Sequence, residues 1–129
     1  MERVDGLKVA MKKINWTELT EAGQLQTLLL DSHKQPVLIF KHSTSCSISK
    51  TALSRLERNW NETEMKNVKS YFLDLLSHRN ISNKIAEQFL VEHQSPQVLL
   101  IRNGESVYDK SHFDIDYTNV KFELEKRLF

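Results

Sequence analysis

The fold is constrained most strongly by one short apolar run, Val37-Leu38-Ile39-Phe40. Pro36 stands directly before this run and prevents a preceding helix from continuing into it. Four apolar residues without polar alternation are typical of a strand that is covered on both faces. Because such strands lie in the middle of α/β sheets, we predict a central strand at residues 37–40.

Helical and strand patterns alternate on both sides of this run. Apolar residues at helical spacing predict a helix over residues 20–31, with Thr20 as its N-cap. A second helix starts after Ser45, which can cap it, and its apolar face ends at Trp60. Residues 68–76 are rich in β-branched, aromatic and aliphatic residues, so we predict a second central strand there.

The second half of the chain contains one more helix, a hairpin and a closing helix. Pro96 leads into a third strand, and Asn103-Gly104 is a type I′ turn signal that indicates an antiparallel hairpin. The closing helix is capped by Asp114 or Asp116. Its apolar positions are Tyr117, Val120, Leu124 and Leu128.

These elements follow one another in the order α-β-α-β-α-β-β-α. A right-handed crossover makes the first two strands parallel, and the hairpin adds an antiparallel pair. The pattern predicts an α/β, thioredoxin-like fold: a central four-stranded mixed sheet flanked by helices, with an N-terminal helix before the first central strand. In that plan the active-site cysteine starts the helix after the first central strand, and a proline opens the first hairpin strand opposite it. Cys46 and Pro96 occupy these two places.

Length and charge limit the number of domains and the classes of partner. The chain of 129 residues fits one domain, which we expect at residues 13–129, with a flexible N-terminal extension at residues 1–12. Met11 reads like a second translation start. The formal net charge of +1 provides no basic field, and no apolar run reaches the ~18 residues of a membrane span. We therefore expect neither nucleic acid nor a membrane as a partner.

Cys46 is the only cysteine, and it stands where an apolar run ends and an amphipathic helix begins. One cysteine cannot form an internal disulfide, which is expected in a reducing compartment and favours the cytoplasm. Backbone N–H groups and the helix dipole favour a thiolate at a helix start, so Cys46 is our candidate nucleophile. The alternative is that Cys46 is a small buried hydrophobic residue.

Polar and cationic residues surround this cysteine in the sequence. Ser49 lies three residues later and can direct its hydroxyl at the sulfur, while Lys41 and His42 close the preceding strand and can stabilise the thiolate. Thr44 can contact the thiol or a substrate, or it can cap the helix. Each of these four residues also has a purely structural interpretation, as a helix residue, a cap or a solvated strand end.

A second group of candidate residues lies at the hairpin. Thioredoxin-like folds place a cis proline beside the cysteine and leave the backbone of the preceding residue free to pair with an extended thiol ligand. Pro96 and Ser95 match these positions, and a trans proline that starts an edge strand is the alternative. His112 follows the hairpin and is a further candidate for substrate binding. The other histidines have no spacing that suggests a metal site.

The residues around the cysteine also carry a resemblance to a known family. The active-site stretch of the YtxJ-type proteins, the monothiol bacilliredoxins of the bacillithiol system, is similar to residues 39–49, IFKHSTSCSIS. The resemblance covers roughly residues 16–115. Further matches are SPQVLL at residues 95–100, Ser111-His112 and Ile115.

This resemblance implies thiol–disulfide exchange. The implied activity is removal of a low-molecular-weight thiol, bacillithiol or a similar molecule, from mixed disulfides on other proteins. Cys46 attacks the mixed disulfide, the small thiol is a co-substrate, and no cofactor is bound. Ser49 stands where dithiol relatives place a resolving cysteine, which implies a monothiol route. The family typically has Arg-Cys-Pro-Ile-Ser at its centre, whereas Ser45 and Ser47 take the Arg and Pro positions here.

Two other functions stay open at this point. A redox-inactive thioredoxin-like binding module would keep the scaffold without turnover. A one-cysteine peroxidase is the weaker alternative, because Ser43 matches the peroxiredoxin pattern before the cysteine but Ile39 replaces its proline. A tyrosine phosphatase loop is disfavoured, since it needs an arginine six residues after the cysteine, where Ala52 stands.

Overall fold

The computed structural model describes residues 14–125. The expected extension at residues 1–12, the second start at Met11 and the helix position Leu128 lie outside these described residues. Among the described helices, none combines the length and the apolar character needed to cross a membrane. The elements are β1 (Thr17–Glu18), α1 (Gln24–Ser32), β2 (Val37–His42), α2 (Ser47–Asn59), β3 (Lys69–Asp74), α3 (Arg79–Phe89), β4 (Gln97–Arg102), β5 (Glu105–Ser111), a 3₁₀ turn (His112–Asp114) and α4 (Tyr117–Glu125).

The sheet has five strands in the order β1-β3-β2-β4-β5. β2 lies at its centre, parallel to β3 and antiparallel to β4, and β5 pairs antiparallel with β4. This arrangement confirms the predicted α/β, thioredoxin-like architecture with its four-stranded mixed sheet. The fifth strand, β1, is absent from the sequence prediction: it has two residues and pairs in parallel with Tyr71 and Phe72 of β3.

β2 is buried along its whole length, because a layer of helices covers each face of the sheet. Leu38 and Phe40 face a core that includes Leu56 of α2 and residues of α4. Val37 and Ile39 face the opposite core, which contains residues of α1 and α3. Since successive side chains of a strand point to opposite faces, burial on both sides explains the unbroken apolar run.

Two helices begin later than the sequence patterns predict. α1 starts at Gln24, whose side-chain carbonyl accepts hydrogen bonds from the Thr20 and Glu21 N–H groups at 2.7 and 3.0 Å. Thr20 is therefore held by a side chain from inside the helix and does not act as its cap. α2 starts one residue later than predicted, because Cys46 rather than Ser45 is its N-cap.

The β4–β5 hairpin turns at Asn103 and Gly104, whose φ angles of 51° and 80° are both positive. Positive φ at both central residues defines the predicted type I′ turn, and glycine adopts it at little steric cost. The Asn103 N–H donates to the carbonyl of Ser32 at 2.8 Å, and the Gly104 N–H donates to the Ser32 hydroxyl at 2.9 Å. The hairpin is thus anchored to the end of α1.

Candidate active site

Cys46 lies between the end of β2 and the start of α2, and it is half-buried. Its backbone is extended, with φ −107° and ψ 121°, and its carbonyl accepts a hydrogen bond from the Lys50 N–H at 3.1 Å. The Cys46 N–H donates to the Ser43 carbonyl at 3.2 Å, which closes a tight turn between strand and helix. The thiol forms no capping hydrogen bond, so it leaves the first backbone N–H groups of α2 available to a charge or a ligand.

Ser49 connects the end of β2 to the first turn of α2. Its hydroxyl oxygen lies 2.6 Å from Nδ1 of His42 and accepts a hydrogen bond from the Ser43 N–H at 3.0 Å. Ser49, His42 and Ser43 are all buried. A hydroxyl has one proton and two acceptor positions, so the direction of the contact with His42 decides whether the Ser49 proton is free. The predicted role of Ser49 at the Cys46 sulfur depends on that direction.

The surroundings of His42 keep its imidazole neutral near pH 7. Burial lowers the pKa of His42, while the negative charge of Asp74 opposes this effect and the positive charge of Lys50 adds to it. The ring also packs against Phe72, with ring centroids 5.4 Å apart. A neutral imidazole has one donor and one acceptor nitrogen. Nδ1 therefore either accepts from the Ser49 hydroxyl or donates to it.

Lys41, the neighbour of His42, points to the opposite face of the sheet. Its side chain is fully buried, and Nζ donates to the carbonyl of Ser82 in α3 at 3.3 Å. The same nitrogen lies 3.4 Å from Nδ1 of His93. Burial lowers the pKa of Lys41 to about 8. The structure therefore places this ammonium group in the α3 layer, and its role in stabilising the thiolate stays a prediction.

Ser95, Pro96 and His112 come together where β4 begins. The Ser95–Pro96 peptide bond is cis, as predicted. The Pro96 carbonyl accepts a hydrogen bond from the His112 N–H at 3.0 Å, and His112 itself is exposed at the start of the 3₁₀ turn. The next residue, Gln97, pairs with Lys41 of β2. The start of β4, which Pro96 precedes, thus lies beside the C-terminal end of β2. From that end of β2 the chain runs on to the cysteine.

Thr44 and Ser95 are the remaining predicted residues of the site. Thr44 is exposed in the turn before the cysteine. The Ser95 hydroxyl is buried and, within the described residues, has no hydrogen-bond partner. The ligand contact predicted for Ser95 uses its backbone, and that contact stays a prediction. Among residues 14–125, no three His, Cys, Asp or Glu side chains are grouped so that they could hold a metal ion.

His93 and Ser82 surround the ammonium group of Lys41, although the sequence contains no signal for either. His93 is 52 residues from Lys41 along the chain, and its Nδ1 also lies 3.1 Å from the Ser82 hydroxyl. These side chains meet only because α3 packs against the face of the sheet to which Lys41 points. Linear spacing could therefore not have revealed the group.

Comparison with known proteins agrees with this geometry. Residues 17–120 match a family model described as monothiol bacilliredoxin BrxC. A solved protein described as having a thioredoxin fold superposes with a TM-score of 0.70 at 28% identity, covering 84% of this chain and 91% of that one. Thioredoxin from Fasciola hepatica gives 0.65 at 16% identity, covering 84% and 96%, and thioredoxin from Trypanosoma brucei brucei gives 0.64 at 15%, covering 87% and 89%. The solved structures show a thioredoxin fold. The family match supports a thiol redox role.

Proposed function

We propose that this chain, which belongs to the monothiol bacilliredoxin family, removes a low-molecular-weight thiol from mixed disulfides on other proteins through Cys46. The observation that carries the proposal is a half-buried thiol at the N-cap of α2, free of any capping hydrogen bond. Backbone N–H groups favour a thiolate at this position. The small thiol is bacillithiol or a similar molecule, no bound cofactor is needed, and the reaction suits the reducing cytoplasm.

The reaction consists of two exchange steps. In the first, the Cys46 thiolate attacks the small-thiol sulfur, so a disulfide forms between Cys46 and the small thiol and the original S–S bond breaks. The client cysteine leaves as a thiolate and takes a proton from water. In the second step, the thiolate of another small-thiol molecule attacks the small-thiol sulfur on Cys46. This releases a symmetric small-thiol disulfide and restores the Cys46 thiolate, so the second small-thiol molecule is the reductant.

Two features of the site are proposed to stabilise the thiolate. A helix N-terminus contributes about 0.3–1 kcal/mol to a neighbouring negative charge at an exposed position, and up to ~2 kcal/mol when partly buried. When Nδ1 of His42 donates to the Ser49 oxygen, the Ser49 proton is free to turn toward the sulfur three residues earlier. Stabilisation of the thiolate assists the second step in particular, because Cys46 is then the leaving group.

The hairpin residues are proposed to hold the substrate. The backbone of Ser95 pairs with the extended thiol ligand, as the thioredoxin-like architecture suggests. His112 is exposed and is joined to Pro96 by its own N–H, so its side chain is available at the same edge of the sheet. Thr44, exposed in the turn before the cysteine, is a further candidate for contact with the substrate.

Transfer of the small thiol to Cys46 tests this proposal. The protein is incubated with a model protein that carries a bacillithiol mixed disulfide, and separately with the corresponding glutathione mixed disulfide. Intact mass spectrometry then measures the adduct on Cys46 and the free thiol on the model protein. We expect Cys46 to acquire the small thiol while the model protein regains its cysteine, and Cys46→Ser to do neither.

The alternatives give different masses in the same assay. Hydrogen peroxide is added to a parallel sample, and sulfenic acid at Cys46 with turnover of peroxide would identify a one-cysteine peroxidase. A thiol that is inert in all samples would identify a binding module and overturn the proposed exchange. Equal transfer from both mixed disulfides would leave the exchange reaction in place and show that this chain does not distinguish bacillithiol from glutathione.

A further inference from the structure

We propose that Lys41 is a positioning residue, which holds residues 91–95 in the geometry that presents the Ser95 backbone to the thiol ligand. This inference rests on the proposed function and deepens it. It states that the geometry of the ligand-binding backbone depends on a residue whose side chain lies on the α3 face of the sheet, opposite to α2. Residues 91–95 make up most of the connection between α3, which ends at Phe89, and Pro96, so any change in their path moves Ser95.

A single ammonium group joins three parts of the fold. Lys41 lies at the end of β2, its Nζ donates to the carbonyl of Ser82 in α3 at 3.3 Å, and it lies 3.4 Å from Nδ1 of His93 in the connecting segment. Lys41 has no exposed surface. The position of residues 91–95 is therefore set against both the central strand and the first turns of α3.

The contact with His93 requires a neutral imidazole. Nδ1 of His93 lies 3.1 Å from the Ser82 hydroxyl as well as 3.4 Å from Nζ of Lys41, so it is placed to accept from both donors. Burial lowers the pKa of His93, and the positive charges of Lys41 and Arg79 lower it further. The imidazole is thus neutral near pH 7, and its Nδ1 can act as the acceptor that orients the segment.

Gln97 holds the same segment from the neighbouring strand. It is the cross-strand partner of Lys41 and is 1% exposed. Its side-chain amide donates to the carbonyl of Glu92 at 3.0 Å, and its side-chain carbonyl accepts from the Gln94 N–H at 3.4 Å. Two buried polar side chains that face each other across β2 and β4 therefore both direct hydrogen bonds at residues 92–94. Ser95 follows directly.

The chemistry of Lys41 argues against a role in packing alone. Within the described residues, its ammonium has no carboxylate partner. Burying a charge without an ion pair disfavours the folded state, so an apolar side chain would fill this site at lower free energy. What the ammonium supplies, and an apolar side chain does not, is a directional link between β2 and residues 91–95.

Two measurements on Lys41→Met distinguish positioning from an effect on the thiolate. The first is KM for the bacillithiol mixed disulfide, and the second is the rate at which iodoacetamide, a small neutral reagent, alkylates Cys46. We expect KM to rise about tenfold, because residues 91–95 lose one hydrogen bond from a charged group and this loss reduces the time that Ser95 spends in the binding geometry. The alkylation rate is expected to stay unchanged. His93→Leu, which removes the imidazole and leaves no side-chain acceptor in its place, is expected to raise KM in the same way. Lys84→Met, at an exposed position of α3, is the matched control and leaves both quantities unchanged.

Several outcomes would overturn the inference. An unchanged KM in Lys41→Met and His93→Leu would do so. A slower alkylation of Cys46 in Lys41→Met would also do so, because it would show that Lys41 acts on the thiolate. Should the wild-type protein transfer no small thiol, the proposed function fails, and amide hydrogen exchange of residues 91–95 then decides the positioning role. Faster exchange at these amides in Lys41→Met supports it, and equal exchange contradicts it.

Discussion

At the scale of single residues, two neighbours at the end of β2 serve opposite layers of the molecule. His42 turns toward α2 and contacts Ser49, whereas Lys41 turns toward α3 and contacts Ser82 and His93. The alternation of a strand imposes this division. Both residues are buried, so each one influences the site through its hydrogen bonds rather than through solvent-exposed charge.

The free energy of unfolding tests the burial of Lys41. We expect Lys41→Met to be more stable than the wild type by about 1–3 kcal/mol at pH 7, because the variant removes a buried charge. The loss of the ammonium group adds little cost at its two partners. The Ser82 carbonyl lies within α3, and His93 keeps its contact with the Ser82 hydroxyl. Urea denaturation measures the difference, with Lys84→Met as the exposed control. A less stable Lys41→Met would contradict the prediction.

The same variant gives a defined pH dependence. The pKa of Lys41 is about 8 in the folded protein against an ordinary value of 10.5. Between these values the unfolded chain binds more protons than the folded one, so wild-type stability rises with pH across that range. The advantage of Lys41→Met is therefore fully present below about pH 8 and shrinks toward pH 10. An advantage that stays constant from pH 7 to pH 10 would contradict the assigned cause.

Ser49 gives a second prediction at this scale. Ser49→Ala leaves the Ser43 N–H and Nδ1 of His42 buried without their partner. We expect a loss of about 1–3 kcal/mol in the free energy of unfolding, the usual result of leaving a buried polar group unpaired. Ser47→Ala, an exposed serine in the same turn of α2, serves as control. Equal urea midpoints for the two variants would show that Ser49 does not link strand and helix.

At the scale of elements, the sequence predicted the strands and turns that depend on only a few neighbouring residues. The unbroken run of β2 and the Asn103-Gly104 turn confirm their predictions, since burial and positive φ act within a few residues. β1 could not be predicted, because two residues carry no period and its pairing depends on β3. The position of Cys46 at a helix start could also be predicted from the sequence. The contact between Lys41 and His93 could not, because it arises only from packing between distant segments.

Arg55 of α2 connects two elements of the site. Its Nη2 donates to the Phe113 carbonyl at 3.1 Å and to the Ile115 carbonyl, which holds the 3₁₀ turn against the helix. We expect Arg55→Met to speed amide hydrogen exchange at residues 112–116 while the β4 amides stay protected. Lys50→Met on the same helix is the control. Equal exchange rates at residues 112–116 in the two variants would show that the turn does not depend on Arg55.

At the scale of the whole molecule, the sheet separates two apolar cores. Leu56 of α2 belongs to one and Leu28 of α1 to the other, and both are buried. We expect Leu56→Ala and Leu28→Ala each to lower the free energy of unfolding by about 2–5 kcal/mol. Because the two residues belong to separate core clusters on opposite faces of the sheet, the double variant should match the sum of the single losses to within about 0.5 kcal/mol. A double variant that departs further from the sum would show that the cores are coupled.

The two faces of β2 carry different parts of the site, and this separation has a consequence for the evolution of the protein. Cys46, Ser49 and His42 lie on the side of α2, while the parts proposed to shape the ligand contact lie with α3 and residues 91–95. Substitutions in the second layer can therefore alter which thiol is accepted without altering how the sulfur reacts. A library of variants confined to that layer is where a new substrate preference would be selected.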